Sequence, residues 1–197
     1  MKKVFFLFLI FISISGFSQN FRGGIIVGTA TSQVSGDNLG GFNKAGIMVG
    51  VFTNMPISEV LNLQMEMCYI QKGSNNPKMN ENGIPDISLS YIEVPVLIKY
   101  KQSKTMFIEC GVETAFFIEG HDNDFNGKVP QSQSNVFSKL DIGLFMGMDY
   151  VLTDKIVLNS RISNSIFPIR EHANEATFLL NKGQYNSVLS FTLHYQI

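Results

Sequence analysis

The feature that most constrains this chain is a two-residue alternation, repeated in eight segments, in which one parity carries no charge. In "YIEVPVLIKY" (residues 91–100) an extended backbone sends Ile92, Val94, Val96, Ile98 and Tyr100 to one side. Tyr91, Glu93, Pro95, Leu97 and Lys99 go to the other. One face is wholly apolar and the other holds an acid, a base and a proline. The alternation predicts strands at about 20–30, 44–54, 61–71, 90–100, 105–118, 138–152, 155–164 and 185–197, and no segment of comparable length holds a helical apolar stripe.

The charge-free parity includes Ile25 and Val27, Val49 and Val51, Met65 and Met67, Ile108 and Val112, Leu144 and Met146, Leu158 and Ile162, and Leu193 and Tyr195. The opposite parity mixes glycine with both signs of charge: Arg22, Glu66, Glu93, Lys99, Glu109, Glu113, Lys139, Asp141, Asp149 and Arg161. Connections after the second, fourth and sixth strands are short, and those after the first, third, fifth and seventh are long and rich in Gly, Asn, Ser and Asp. All long connections therefore fall at one end of an up-and-down meander. Short turns at one end, long loops at the other and an even strand number predict an all-β, eight-stranded antiparallel transmembrane β-barrel. A soluble lipocalin-like barrel would put the apolar face inside. Against it, the apolar-face aromatics gather at strand ends: Phe21, Tyr100, Tyr150 and Tyr195 toward the short turns, and Tyr69, Phe116 and Tyr185 toward the long loops. Pro95 removes one ladder donor from a strand with no free edge, so a bulge or local widening is expected there.

The chain opens with two lysines, an apolar run from Val4 to Ile12 and a small-residue region ending in Gly16-Phe17-Ser18. Residues 1–18 are read as a signal peptide cut after Ser18, leaving residues 19–197 as one barrel domain. Loss of Lys2 and Lys3 takes the formal charge from −1 to −3, which gives no electrostatic case for nucleic acid. Cys68 and Cys110 fall on opposite parities and are expected to stay unpaired.

The strand 91–100 also carries a family resemblance, with "MEMCYIQKG" (Met65 to Gly73), "KAGIMVGVF" (Lys44 to Phe52) and the closing "SVLSFTLHYQI". These segments resemble the PorT-type outer-membrane β-barrel proteins of Gram-negative bacteria, and Tyr91-x-Glu93-x-Pro95 is the most specific element. The resemblance implies an eight-stranded outer-membrane barrel with periplasmic termini, in a family with one member tied to the type IX secretion machinery. It implies outer-membrane lipid as the surroundings and a protein partner in the envelope or secretion machinery.

Chemistry-bearing motifs are sparse. In "HDNDFNG" (residues 121–127), Asp122, Asp124, Asn126 and Gly127 match the opening of a calcium-loop pattern, but the twelfth position is Gln133, where a bidentate glutamate belongs. The segment is read as a solvated outer loop, and no metal or cofactor is expected. His121, His172 and His194 raise the rival idea of a lipid-modifying enzyme at the outer rim, yet spacing places no nucleophile beside them. His194 is expected in the lumen beside Arg22. Eight strands leave an interior that side chains fill, so the lumen charges predict a plug of ion pairs and not a channel.

Overall fold

The computed structural model describes residues 21–37, 39–124, 127–129, 136–171 and 183–197. The predicted signal peptide lies outside them. Eight long strands run β1 (Arg22–Ser35), β2 (Lys44–Pro56), β3 (Leu61–Ser74), β4 (Asp86–Lys101), β5 (Met106–Asp124), β6 (Leu140–Val151), β7 (Ile156–Ser165) and β8 (Gly183–Gln196). Each pairs antiparallel with the next, and β8 closes on β1 from Gly24–Gln196 to Ser35–Tyr185. The result is a closed eight-stranded antiparallel barrel with the predicted strand order. Closure matters because it leaves no row of unpaired backbone groups.

The three short turns repeat one device. Ser58, Ser103 and Thr153 each sit three residues before a strand's first residue, and their hydroxyls accept from the N–H of Leu61, Met106 and Ile156 at 3.1 Å in every case. Each of those residues returns its carbonyl to two N–H groups of the turn. The hydroxyl replaces a donor-acceptor pair that the reversal would otherwise leave to water. At the opposite end, a one-turn helix (Met79–Asn82) interrupts the β3–β4 connection, and the two-residue strands Gly127–Lys128 and Arg170–Glu171 pair with β5 and β8.

Outside, an apolar belt is bounded by two rows. Tyr69, Ile92, Phe116 and Leu140 are direct partners across β3, β4, β5 and β6, and Tyr100, Tyr150 and Tyr195 stand at the short-turn end. From Ile92 to Tyr100 the chain rises roughly 26 Å along the strand. At the usual tilt that is about 20 Å of height, close to the apolar band of a membrane barrel. Between the rows, Val51, Met67, Ile98, Ile108, Leu144 and Met146 are exposed.

Four strands overrun the predicted ends. β1 continues to Ser35, β3 to Ser74, β5 to Asp124, and β4 begins at Asp86. Toward this end Val34, Ile70, Ile87, Leu89 and Tyr91 are buried inward, while Gln33, Gln71, Ser88 and Ser90 lie outward; in β3 and β5 the extensions also turn Lys72, Ser74 and Asp122 inward. With Phe137, Ile169 and Val188 the inward apolar residues form an apolar cluster in the mouth at the long-loop end. This collar stands beyond the apolar belt and packs like the core of a water-soluble protein.

Pro95 does not produce a bulge. Leu61–Met65 pair with Val96–Tyr100, and Cys68–Ser74 with Ile87–Glu93, in one unbroken register, and pairing lapses only at Glu66 and Met67, opposite Pro95 and Val94. The missing donor is absorbed as a gap in the ladder without a shift. The bulge instead lies five residues away, where Ser90 opposes Glu119 and Tyr91 opposes Phe117, leaving Ile118 as the extra residue. Ile118 points outward, and Phe117 turns in to contact Tyr91 and Phe137 at ring separations of 5.7 and 5.9 Å. Because the bulge flips the parity beyond it, Asp122 joins the inward side, paired with Arg170 at 2.8 Å.

Two outcomes are expected. The folded protein should migrate differently from the boiled protein in SDS gels, and identical migration would contradict a closed barrel. Val96 lies midway along the belt, so Val96→Arg should destabilise the barrel by about 2–4 kcal/mol. Val96→Leu should leave the urea midpoint in lipid vesicles nearly unchanged.

Candidate functional site

The interior within the belt is filled by charge. Six carboxylates (Glu66, Glu93, Glu109, Glu113, Asp141 and Asp149) and three cations (Lys72, Lys99 and Arg161) are buried there. An isolated buried charge is prohibitive, so geometry must pair or hydrogen-bond each one. Arg161 on β7 reaches across the lumen to Glu66 on β3, with Nη1 and Nη2 each 3.0 Å from a carboxylate oxygen. β3 and β7 are four strands apart in an eight-stranded ring, so this fork spans the diameter. Its Nε donates to Glu109 on β5 at 2.8 Å, and its plane lies 4.3 Å from the Phe145 ring. Arginine suits the place because one planar group serves two carboxylates in fixed directions.

Toward the short-turn end, Lys99 Nζ contacts Asp149 at 2.6 Å and Glu109 at 3.6 Å. Asn159 donates to both Glu109 (2.9 Å) and Asp149 (2.7 Å), and Gln64 donates to Glu66 at 2.6 Å. Toward the collar, Lys72 contacts Glu93 and lies 3.5 Å from Glu113. Asp141 accepts from Asn186 and Ser165 at 2.9 and 3.0 Å. Glycine makes room for these carboxylates: Gly143 and Gly147 stand directly across from Glu113 and Glu109. A Cβ at either glycine would lie 2.8 Å from the facing Oε1.

Eight of the ten predicted lumen charges meet in this network, and Arg22 and Lys139 do not, being exposed beyond its ends. Lys72 was not anticipated. It has the inward parity of β3, and extending the predicted strand by one residue past 71 places it inside. Cys68 is buried inward and Cys110 exposed outward, both as free thiols. His194 is buried, 5.4 Å from the Phe52 ring and 3.0 Å from the Thr192 hydroxyl. Its direct partner on β1 is Ile26, so it does not stand directly beside Arg22, although both line one cavity.

The calcium-like segment is corrected in part. Residues 121–124 belong to β5 and not to a loop, because pairing with Asp86–Ser90 carries the hairpin upward. Asp122 is engaged by Arg170, while Asn126 and Gln133 lie outside the described residues. Among the described residues no three His, Cys, Asp or Glu side chains converge as metal ligands. His121 faces Ser88 on β4, but the Ser88 hydroxyl is taken by Lys44 Nζ at 2.7 Å and Asn123 at 3.3 Å. His172 also lies outside the described residues.

Two cavities occupy the ends. One of about 510 Å³ opens among the short turns, lined by residues that include Arg22, Asn54, Asn62, Lys101, Lys104 and His194. The other, about 390 Å³, lies at the collar between Lys44, Gln71, Ser88, His121 and Lys128.

Comparison with known proteins agrees with this geometry. The sequence model for the outer membrane protein β-barrel domain matches residues 15–171. The structure is similar to the attachment invasion locus protein Ail of Yersinia pestis, with a TM-score of 0.53, 11% identity, and coverage of 89% of this chain and 98% of that one. It is similar to Neisserial surface protein A, with a TM-score of 0.54, 13% identity, and coverage of 90% and 97%. No curated protein sequence matches the chain.

If the network is a charge-balanced plug, Lys72→Met should destabilise the barrel by about 3–5 kcal/mol, because Glu93 and Glu113 are left facing each other uncompensated. Adding Glu93→Gln should recover part of the loss. Urea unfolding in lipid vesicles measures both, and equal midpoints for the single and double variants would refute the pairing.

Proposed function

The chain belongs to the outer membrane protein β-barrel domain family, and we propose that it is a non-enzymatic component of the Gram-negative envelope that acts through its two ends. It is exported by the signal peptide of residues 1–18, its short turns and both termini face the periplasm, and its long loops face outward. In this reading it serves adhesion, envelope maintenance or secretion as an accessory to a protein partner. The PorT-type likeness of Tyr91-x-Glu93-x-Pro95 favours the secretion branch. The names of two proteins sharing the fold, an attachment invasion locus protein and a surface protein, favour an exposed role at the cell surface.

One observation carries the proposal: the Arg161–Glu66 fork crosses the lumen, and the apolar collar fills the mouth beyond it. A continuous path for solute would have to break a bidentate buried ion pair and a packed core. What remains available for recognition is the ends.

Purified protein reconstituted in planar bilayers should give no stable conductance steps. Regular single-channel openings would move the function into the lumen. Alanine replacement of His121 and His172 should leave the lipid A profile of the host membrane unchanged, and an altered profile would favour the rim-enzyme reading.

A further inference from the structure

The short-turn cavity is a blind vestibule whose charge is sorted by depth. Its floor is the buried network, where Lys99 is held by Asp149 at 2.6 Å. Its rim carries Arg22 at the start of β1, Lys101 at the end of β4 and Lys104 in the following turn. None of these three forms an ion pair among the described residues. Among the residues that line the cavity, Asp154 is the carboxylate at rim level. Three unpaired cations around one opening create a positive potential that the low-dielectric walls focus.

We propose that this mouth binds a carboxylate-bearing peptide segment of a partner protein. The inference rests on the reading that the short turns face the periplasm, where such a segment would be presented. Three features favour a peptide over a small inorganic anion. A volume of about 510 Å³ is far larger than one phosphate needs and falls in the range of ligand pockets. The walls present the amides of Asn62 and of Asn54, whose Nδ2 donates to Gln64 at 3.1 Å and leaves its oxygen and second N–H for a peptide backbone. Phe52 and Phe107 add apolar surface between them. The depth order also sets the orientation. Deeper in, Glu66, Glu109 and Asp149 outnumber Lys99 and Arg161, so acidic side chains stop at the rim and the uncharged part of the segment enters.

The test uses the full mature protein in non-ionic detergent and a fluorescein-labelled peptide, Gly-Glu-Glu-Ala-Gly-Glu-Glu, followed by anisotropy at low salt. The acidic peptide should bind at least tenfold more tightly than its all-glutamine counterpart. The double variant Lys101→Glu with Lys104→Glu should weaken binding at least tenfold while retaining the heat-dependent gel shift, whereas Lys128→Glu at the opposite end should not. Absence of binding, equal binding of the glutamine peptide, equal binding by the rim variant, or displacement by inorganic phosphate at matching concentration would overturn the proposal. The assay does not depend on orientation in the membrane. If labelling of intact cells shows Lys101 facing outward, the periplasmic reading fails while the binding result still stands or falls by itself.

Discussion

The tall strands of this barrel pass from one solvent into another, and on β1, β3 and β4 apolar residues move to the inward face where they do. Between the two aromatic rows the outward parity is apolar and the inward parity holds the charges, interleaved with residues such as Ile26, Met48, Leu97 and Phe145. Above Ile92 and Tyr69 the same strands carry Ser88, Ser90 and Gln71 outward and Ile87, Leu89 and Ile70 inward. Hydrocarbon cannot hydrogen-bond and water can, so each segment must hide from its own surroundings what those surroundings will not solvate. Apart from the gap opposite Pro95, the strands keep their hydrogen-bonded ladder across both levels, because backbone groups need partners in either medium.

The ion network follows from the same constraint. With an apolar exterior fixed by the surroundings, the inward parity must hold whatever polar residues the strands contain, and eight strands enclose too little space for bulk water. Charges are then tolerable only in close geometry. Arg161 ties β7 to β3 and β5, and Lys72 joins β3 to the carboxylates of β4 and β5. The Arg161–Glu66 contact ties opposite walls, whereas Lys72 ties neighbouring ones, and breaking either pair leaves a buried charge uncompensated.

Most of the fold was legible in the sequence because period two is a strong signal where one face must be apolar. The strand ends were not, and the reason is common to them. A reading that follows an apolar outward face ends within two residues of Tyr69 or Ile92, at 71 and 90, where the outward residues become polar, although the strand continues. That is why Lys72 was left out of the interior and Asp122 was put in a loop. The bulge at Ile118 was invisible because "AFFIEG" offers four consecutive apolar residues, and which one is extra depends on Phe117 finding Tyr91 and Phe137. Pro95 misled in the other direction, since a missing donor can be absorbed as two unpaired positions without any change of register.

The collar residues Val34, Ile70, Ile87, Leu89, Tyr91, Phe137, Ile169 and Val188 belong to one apolar cluster that continues through Ala30, Cys68, Met48 and Ile26 to Phe52, and Lys72 of the ion network lies 5.5 Å from the Tyr91 ring. Collar and ion network therefore meet at Tyr91 and Lys72, on continuous strands. Side chains at this boundary serve both the packed collar and the paired charges below it. Sequence change at the long-loop end is therefore least constrained at outward polar positions such as Gln33, Gln71 and Ser88, which belong to neither the apolar cluster nor the ion network.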